Sequence, residues 1–371
     1  MCIRDRSEGA TQASVRLGVW KTLDNTTLNL STLTEDGVLA QKASVAFGGD
    51  RCAVVWEQKS PSHGDTSWVY VQTMKADGSG RAAAVALSPG SSPHICALND
   101  GSFLVTFQYV KNVSTTVGGI PITRTLSNVF GVFIAAATGQ PRTDIFRLNP
   151  RLDNAYDPHG VYLSGGQTLA FWKEIGVNMS TAKVFAVRIA AAGSVTGEEF
   201  RCAPLDSTVN TYDVSAAGDS LVLLVWHSFT GNLVSRQFLV AHNGALSPVD
   251  TVSETAANPD VPVTVSVSAN DSSALIGWLR GSHFGRNHRM FLADYIVREQ
   301  MTATSIYRTS PQQRMARVPV PVHWYSQACF SLSGRRIKSG YAGDHHTGVY
   351  LVRQPDGILR RQIQIRGNGQ R

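Results

Sequence analysis

The chain has 371 residues, of which 43% are apolar and 16% charged, and its formal net charge at pH 7 is +7. This length suffices for a buried core, and the low charged fraction excludes a disordered acidic chain or a long coiled coil. No apolar run reaches the 18 or so residues of a membrane-spanning helix. The positive charge is scattered rather than striped, so a basic surface is expected and nucleic acid is not the expected partner.

The first residues do not look like part of a domain. Met1–Arg6 resembles translated adaptor sequence of the kind found at the ends of assembled transcriptome contigs. We expect residues 1–12 to be an assembly artefact or a disordered lead, with the true N-terminus further upstream. The lack of a signal peptide is then uninformative about secretion.

A short apolar run that ends in an aromatic residue recurs along the chain. Leu221–Trp226, which follows the turn signal Gly218-Asp219, is the clearest copy and is typical of a buried strand. The copies are 36 to 65 residues apart, which indicates a repeat architecture with a period near fifty. The recurring aromatics are Trp20, Trp56, Phe107, Trp172, Trp226, Trp278 and Tyr341.

Each repeat reads as about four short strands separated by glycine-containing turns. Asx-Gly pairs, the strongest hairpin signal, recur at one place in the units. They are Asp36-Gly37, Asp77-Gly78, Asn243-Gly244 and Asp356-Gly357. The pattern predicts an all-β fold, a β-propeller of about seven four-stranded blades in one domain over 13–371, with the first blade incomplete at the N-terminus. The expected blades are 13–43, 44–91, 92–149, 150–205, 206–255, 256–310 and 311–371.

The recurring aromatics are expected to be structural. A large ring at the end of the second strand could wedge against the next blade, and burying it removes about 150–250 Å² from water. A role as stacking platforms for sugars is the alternative.

Units two to five resemble a propeller-like repeat of large secreted bacterial and protist proteins. The matching stretches are Pro93–Val105, Val129–Phe133 and Asp144–Asn149, which follow a Pro-x-φ-x-x-Leu-x-Asp-Gly-x-Phe pattern. The resemblance implies the fold, and it implies surface, adhesion or filament modules rather than an enzyme. The long excursions at Lys111–Ser127 and His283–Arg289 depart from the pattern and are where a particular function could lie.

No catalytic motif stands out. Ser62–Trp68 does not fit the Ser-x-Asp-x-Gly-x-Thr-Trp turns of sialidases, and there is no Walker loop, Gly-x-Ser-x-Gly elbow or His-Glu-x-x-His. His345-His346 beside Asp344 could bind a metal, but adjacent strand residues point to opposite faces. The widely separated Cys2, Cys52, Cys96, Cys202 and Cys329 give no zinc spacing, so neither a metal nor a cofactor is expected.

Two basic segments could contact an anion or a partner. His283, Arg286, His288 and Arg289 surround one aromatic residue in a predicted loop that could grip a sulfate, carboxylate or phosphate. Arg360 and Arg361 fall on a predicted outermost strand, where charge discourages unwanted pairing.

The sequence favours an extracellular or cell-surface location. Five Asn-x-Ser/Thr sequons are a mild excess over chance, at Asn25, Asn29, Asn112, Asn178 and Asn270. We predict a non-catalytic structural or adhesive module that binds other protein subunits, or an acidic glycan, through rim loops and blade edges. The alternatives are a glycan-hydrolysing propeller enzyme and an intracellular scaffold subunit. A convergence of carboxylates and arginines on a central channel would favour the enzyme.

Overall fold

The computed structural model is all-β, with antiparallel sheets and no helix among the residues that it describes. These residues therefore contain no helix that is long and apolar enough to cross a membrane. The described residues are 2–4, 14–20, 27–34, 38–59, 66–117, 120–150, 154–175, 182–202, 209–228, 233–239, 245–246, 250–253, 262–269, 273–280, 289–296, 329–330, 336–337, 348–353 and 359–364.

Strands of three N-terminal sheets follow one another in chain order. Sheet I contains β1 (Cys2–Arg4), β2 (Arg16–Trp20) and β3 (Thr27–Thr32). Sheet II contains β4 (Leu39–Gly48), β5 (Arg51–Lys59), β6 (Ser67–Lys75) and β7 (Val85–Pro89). Sheet III contains β8 (Ser91–Ala97), β9 (Phe103–Val117), β10 (Ile120–Ile134) and β11 (Phe146–Arg147). Each sheet is an antiparallel meander.

Two further sheets continue the pattern. Sheet IV contains β12 (Asn154–Tyr162), β13 (Thr168–Ile175), β14 (Ala182–Ala190) and β15 (Ser194–Arg201). Sheet V contains β16 (Val209–Ala217), β17 (Leu221–Ser228), β18 (Leu233–Leu239), β19 (Ala245–Leu246) and β20 (Asp250–Ser253). In sheet V both β19 and β20 pair with β18.

The last described strands form two more sheets. Sheet VI contains β21 (Pro262–Ala269), β22 (Ser273–Arg280) and β23 (Arg289–Ile296). Sheet VII contains β24 (Cys329–Phe330), β25 (Arg336–Ile337), β26 (Gly348–Arg353) and β27 (Leu359–Gln364). Its spatial order is β25-β24-β26-β27, so it is not a simple meander like sheets II to IV.

The structure confirms the all-β prediction and the four-stranded antiparallel unit, and it differs from the sequence analysis at two places. Cys2–Arg4, which had been assigned to a lead outside the domain, pairs with Arg16–Gly18 of β2. The excursion Lys111–Ser127 is not an irregular loop, because β9 and β10 stay paired from Phe103 opposite Ile134 out to Val117 opposite Ile120. Sheet III therefore carries a hairpin arm, made of residues 110–117 and 120–127.

The middle strands are apolar throughout because both of their faces are buried between sheets. In β5, Cys52, Val54 and Trp56 pack towards Val15 of the sheet I segment. The intervening Ala53 and Val55 pack on sheet III. A strand buried on both faces reads as a continuous apolar run rather than as an alternating one, which explains the recurring motif.

The recurring aromatics face the preceding sheet, not the next one as predicted. Phe107 belongs to the core between sheets II and III, Trp172 to that between III and IV, and Trp226 to that between IV and V. With Trp56, these four side chains are at most 1% exposed. The strands β2 and β22 contain Trp20 and Trp278. Tyr341 lies outside the described residues.

Each of three aromatics also stacks on the residue opposite it in the third strand of its own sheet. Trp56 lies opposite Tyr70 with ring centroids 5.9 Å apart. Phe107 and Phe130 are also 5.9 Å apart, and the Trp172–Phe185 centroids are 6.4 Å apart. Such offset cross-strand pairs stabilise a sheet beyond the area that they bury.

Candidate functional site

The first strands of sheets II, III and IV share a bulge with unusual backbone geometry. Lys42, Ser92 and Asp157 have φ values of 51°, 49° and 50°, a left-handed conformation that is uncommon for non-glycine residues. In each strand the pairing register shifts at this position. The backbone strain recurs at equivalent positions, so it belongs to the repeat and sets the direction of the residues that follow.

The residue two positions after each bulge occupies an equivalent register position in its sheet, which we call the station. Ser44, His94 and His159 are each paired with the residue that precedes the buried aromatic of the second strand. The same register places Asp213 at this station in sheet V and Ser266 in sheet VI. His94, His159 and Asp213 each come thirteen positions before the buried aromatic of the same sheet.

Side chains from three sheets meet at this station. His94, His159 and Asp213 each offer a potential ligand atom, and these atoms all lie within 4.8 Å of one another. His159 Nδ1 is 3.1 Å from Asp213 Oδ1. The rings of His94 and His159 stack, with centroids 4.4 Å apart and planes inclined by 20°. We call these three residues the His-His-Asp cluster.

The carboxylate of Asp213 is held from two sides. Its Oδ1 accepts a hydrogen bond from the Val214 N–H at 2.9 Å, and its Oδ2 accepts one from the Val267 N–H of sheet VI at 2.8 Å. Because the second donor belongs to the next sheet, this carboxylate links sheets IV, V and VI. Backbone donors to both oxygens fix its orientation and favour the charged form.

The histidines are braced by neighbouring groups. The Gly160 N–H donates to His94 Nδ1 at 3.3 Å, and the Tyr212 ring lies against His159 with centroids 4.9 Å apart. The Tyr212 hydroxyl donates to the main-chain oxygen of Asp157 at the bulge. The ring planes at the station are therefore held by contacts on several sides.

The electrostatics of the cluster follow from partial burial next to charge. His94 is only partly exposed, and its burial lowers its pKa to about 3. The neighbouring His159 lowers the pKa of His94 further. Burial by itself raises the pKa of Asp213, but the hydrogen bond and charge of His159 and the Val267 N–H bring it below its ordinary value. Burial, followed by the charges of Asp157 and Asp213, raises the pKa of Tyr212 well above its ordinary value.

Hydrogen bonds from the second strand of one sheet reach the bulge of the next. Glu57 Oε2 accepts from the Ser92 N–H at 3.2 Å, and Gln108 Oε1 accepts from the Asp157 N–H at 3.0 Å. Glu57 and Gln108 each directly follow a buried aromatic. These repeated bonds fix the relative position of successive first strands, and therefore of the station residues.

A charged pair lies beside the cluster. Lys173 Nζ is 2.9 Å from Asp157 Oδ2 and donates to the Asn210 main-chain oxygen at 2.9 Å. The Asp157 side chain is 45% exposed, so this carboxylate is open to a ligand. It lies two positions before His159 on β12, next to the cluster.

The hairpin arm begins at the same end of its sheet as the cluster. The first residue of β8, Ser91, pairs with Gln108, close to where the arm leaves the sheet. At its base, Ser127 Oγ donates to the Ala155 main-chain oxygen of β12 at 2.7 Å. The arm therefore projects from the end of the sheets at which β8 and β12 start.

The cluster can support two kinds of chemistry. A carboxylate that holds one imidazole nitrogen orients the ring for proton transfer at the other nitrogen. Two imidazoles and a carboxylate are also a common ligand set for a divalent transition metal. Both kinds of chemistry serve hydrolysis.

Of the residues predicted to contact an anion, Arg289, Arg360 and Arg361 lie within the described part of the chain. His283, Arg286 and His288 lie outside the described residues, as do His345 and His346. Arg289 is the first residue of β23, opposite Arg280. Arg360 and Arg361 lie on β27, which is at the edge of sheet VII as predicted, opposite Val352 and Leu351.

Two of the predicted glycosylation sequons fall on described strands. Asn112 is exposed on the hairpin arm, and its Oδ1 accepts a hydrogen bond from Thr125 Oγ1 at 2.9 Å. Asn29 lies on β3. Asn25, Asn178 and Asn270 lie outside the described residues.

Sequence reasoning missed His94, His159 and Asp213. The signal was present, because Pro93-His94 and Pro158-His159 are both preceded by the bulge residue and both stand thirteen positions before an aromatic. Aligning the units on their aromatics, rather than searching for known catalytic motifs, would have placed a titratable residue at the same station of three consecutive units.

Comparisons with known proteins gave structural similarity only. No protein-family model matches the chain, and no curated protein sequence matches it significantly. An α-L-arabinofuranosidase from Lactobacillus brevis aligns with 68% of this chain and 89% of its own, at 8% identity and a TM-score of 0.42. A variant of the NanB sialidase from Streptococcus pneumoniae aligns with 70% of this chain and 60% of its own, at 6% identity and a TM-score of 0.45. A B. megaterium levansucrase variant aligns with 79% and 93%, at 8% identity and a TM-score of 0.38.

The prediction of a non-catalytic structural or adhesive module is corrected by these findings. The similar structures named above are enzymes with carbohydrate-related names, and a further one is described as a protein of unknown function. The names of those enzymes agree better with the glycan-enzyme alternative than with a structural module. Because the TM-scores are below 0.5, the substrates of those enzymes are not transferred to this chain.

Proposed function

We propose that this chain is a glycan-acting hydrolase whose reaction centre is the His-His-Asp cluster, on a propeller of about seven sheets. One observation carries the proposal: the same station of three successive sheets holds His94, His159 and Asp213, with their polar atoms within 4.8 Å. A convergence of carboxylates and arginines is the arrangement that the sequence led us to expect of an enzyme; the cluster instead combines two imidazoles with one carboxylate from separate sheets. Such sets are typical of reaction centres.

The chemistry assigned to the cluster is the activation of water against a glycosidic bond. Asp213 orients His159 through the 3.1 Å contact, and the two backbone donors to Asp213 keep the carboxylate in place. Asp157, the bulge residue two positions before His159, is assigned as the second carboxylate; its side chain is 45% exposed and pairs with Lys173. Glycoside hydrolysis commonly uses two carboxyl groups in different environments, and Asp213 and Asp157 differ in this way.

The hairpin arm is assigned to substrate selection. It extends from the end of the sheets at which the first strands of sheets III and IV begin. At its base, Ser127 is hydrogen-bonded to Ala155, which lies four positions before His159. Loops and hairpins on a rigid scaffold commonly carry specificity. A polymeric glycan that reached the cluster from this edge would pass along the arm.

The test is a hydrolysis assay with the purified full chain. A panel of aryl glycosides and plant, bacterial and animal polysaccharides would be followed by chromophore or reducing-sugar release. The variants His159→Gln and Asp213→Asn should lower the rate on any substrate found by at least about 100-fold, the usual contribution of an acid–base group. Ser44→Ala changes the residue at the same register position in sheet II, which is not one of the three cluster residues, and should leave the rate within about twofold.

Three outcomes would overturn the proposal. The first is no product from any glycan with protein whose melting curve shows a cooperative fold. The second is full activity in both cluster variants, which would place the reaction centre elsewhere. A rate that falls equally in Ser44→Ala would also contradict it, because the effect would then belong to the sheet framework.

An extracellular or cell-surface location is proposed together with this function. Asn112 is exposed on the hairpin arm, so its side chain is accessible to modification. Expression in a secreting eukaryotic host should give a mass shift that is removed by a peptide N-glycosidase and is absent in Asn112→Gln. An unmodified Asn112 in secreted protein would contradict this part of the proposal.

A further inference from the structure

We propose that His94, His159 and Asp213 bind one divalent first-row transition metal ion, for which Zn²⁺ is the representative probe. The proposal concerns the same side chains as the proposed function, but it stands whether or not the chain acts on glycans. It starts from the geometry, since one potential ligand atom from each residue lies within 4.8 Å of the other two.

The spacing is close to that of a metal-bound set. Metal–ligand bonds of about 2.0–2.1 Å in a tetrahedral site place neighbouring ligand atoms about 3.3–3.4 Å apart. His159 Nδ1 and Asp213 Oδ1 are 3.1 Å apart, so this pair already has a separation that one ion can span. The His94 nitrogen lies within 4.8 Å of the other two ligand atoms, so a bound ion requires it to approach them by at most about 1.4 Å, through side-chain rotation.

The backbone around the cluster supplies the outer support that metal ligands need. Asp213 Oδ2 is fixed by the Val267 N–H and Oδ1 by the Val214 N–H, which leaves lone pairs on the carboxylate for an ion. His159 is held between the rings of His94 and Tyr212. Contacts of this kind orient ligands and raise metal affinity.

The donor set selects the class of ion. Two imidazole nitrogens and one carboxylate oxygen suit Zn²⁺, Co²⁺, Fe²⁺ and similar ions, whereas Mg²⁺ and Ca²⁺ prefer shells made of oxygen. Three protein ligands leave a fourth position for water, which is the arrangement of catalytic rather than structural zinc sites. A metal there would supply an activated water at neutral pH.

Adjacent bulges explain why the two histidines, from different sheets, lie side by side. His94 and His159 each stand two positions after a left-handed bulge residue, Ser92 and Asp157. The bulges of neighbouring sheets are tied to one another through Gln108, which accepts from the Asp157 N–H and donates to Ser91 Oγ at 3.1 Å. These hydrogen bonds therefore hold the two imidazoles at equivalent register positions of neighbouring sheets before any ion binds.

The experiment measures metal binding by the full chain without an affinity tag. Zn²⁺ would be titrated calorimetrically into metal-free protein, and Co²⁺ would be followed by its visible absorption. We expect a site that is retained in Ser44→Ala and weakened at least about tenfold in His94→Gln, His159→Gln and Asp213→Asn. Zn²⁺ should raise the melting temperature of the wild type and of Ser44→Ala, but not of the three cluster variants, while Mg²⁺ should not raise it in any of them.

The outcomes separate this inference from the proposed function. Zn²⁺ affinity and Co²⁺ absorption that are unchanged in the three variants would overturn the inference, because the ion would then bind elsewhere on the chain. No Zn²⁺ binding by protein that hydrolyses a glycan would overturn the inference and leave the function standing. Cluster-dependent binding by protein that acts on no glycan would establish the metal site and overturn the function.

Discussion

Trp172 donates its indole N–H to Glu174 Oε1 at 3.0 Å, and the two residues stand on the same face of β13, two positions apart. Trp56 makes the same bond to Gln58 in sheet II, at 2.9 Å. In sheets II and IV the second strand thus buries a large ring against the preceding sheet and supplies the polar partner for its N–H from the same strand. This explains why an acidic side chain, Glu174, is buried in a strand core. The buried indole N–H of Trp226 in sheet V has no hydrogen-bond partner among the described residues.

Replacing Glu174 should reveal the value of that bond. Glu174→Ala leaves the buried indole N–H without its acceptor, and we expect the free energy of unfolding to fall by about 1–3 kcal/mol. Glu174→Gln keeps an oxygen at the same place and should have the smaller effect. Urea denaturation of both variants gives the comparison, and equal losses would show that the bond to Trp172 is not the source.

Trp226 should be the most costly aromatic to truncate. Its side chain is fully buried between sheets IV and V, so Trp226→Ala creates a cavity, and we expect a loss of about 3–5 kcal/mol in unfolding free energy. Trp226→Phe keeps most of the volume and mimics Phe107, which occupies the same station in sheet III. An unchanged melting temperature for Trp226→Ala would contradict the buried role of this side chain.

The bulge at Ser92 should prefer glycine. Its φ of 49° is strained for a residue with a Cβ, while its N–H bond to Glu57 does not depend on the side chain. Ser92→Gly should therefore be neutral or slightly stabilising, and Ser92→Val should be less stable than the glycine variant by about 1–2 kcal/mol. Thermal denaturation of the pair tests this, and a valine variant as stable as the glycine variant would be incompatible with the left-handed geometry.

The turn at Asp100 should give a pH-dependent contribution to stability. Hydrogen bonds from Ser102 and the ion pair with Arg142 lower the pKa of Asp100 to about 2. Because the folded pKa lies below the unfolded value of about 3.9, the stabilisation is present above pH 4 and is lost as the pH falls through about 2. The pair is half exposed, so the contribution should be at most about 1 kcal/mol after solvent screening.

Asp100→Asn provides the matching measurement. The variant should be less stable than the wild type at pH 6, and the difference in unfolding free energy should close between about pH 4 and pH 2. Denaturant unfolding at several pH values gives both numbers. A difference that is constant down to pH 2 would mean that the charge of Asp100 has no part in holding the turn.

The strands and turns of each sheet could be predicted from the amino-acid sequence, because they depend on residues within a few positions of one another. Continuous apolar runs such as Leu221–Trp226 mark strands that are buried on both faces, and the expected strand pairs at β4–β5, β12–β13 and β16–β17 are present. The same locality explains one error. The hairpin arm carries exposed polar residues such as Asn112 and Ser114, so it reads as a loop, although its two strands are paired over the residues that the structure describes.

The sequence by itself determined that the chain forms repeated antiparallel units with a recurring aromatic, which is buried in sheets II to V, since side-chain period and turn residues act within a few positions. Only the tertiary structure decided that the aromatics face the preceding sheet, and that His94, His159 and Asp213 meet. These residues are 65 and 54 positions apart. They come together because bulges and inter-sheet hydrogen bonds fix how far each first strand is shifted along the first strand of the neighbouring sheet. That shift depends on packing between sheets and cannot be derived from one repeat unit alone.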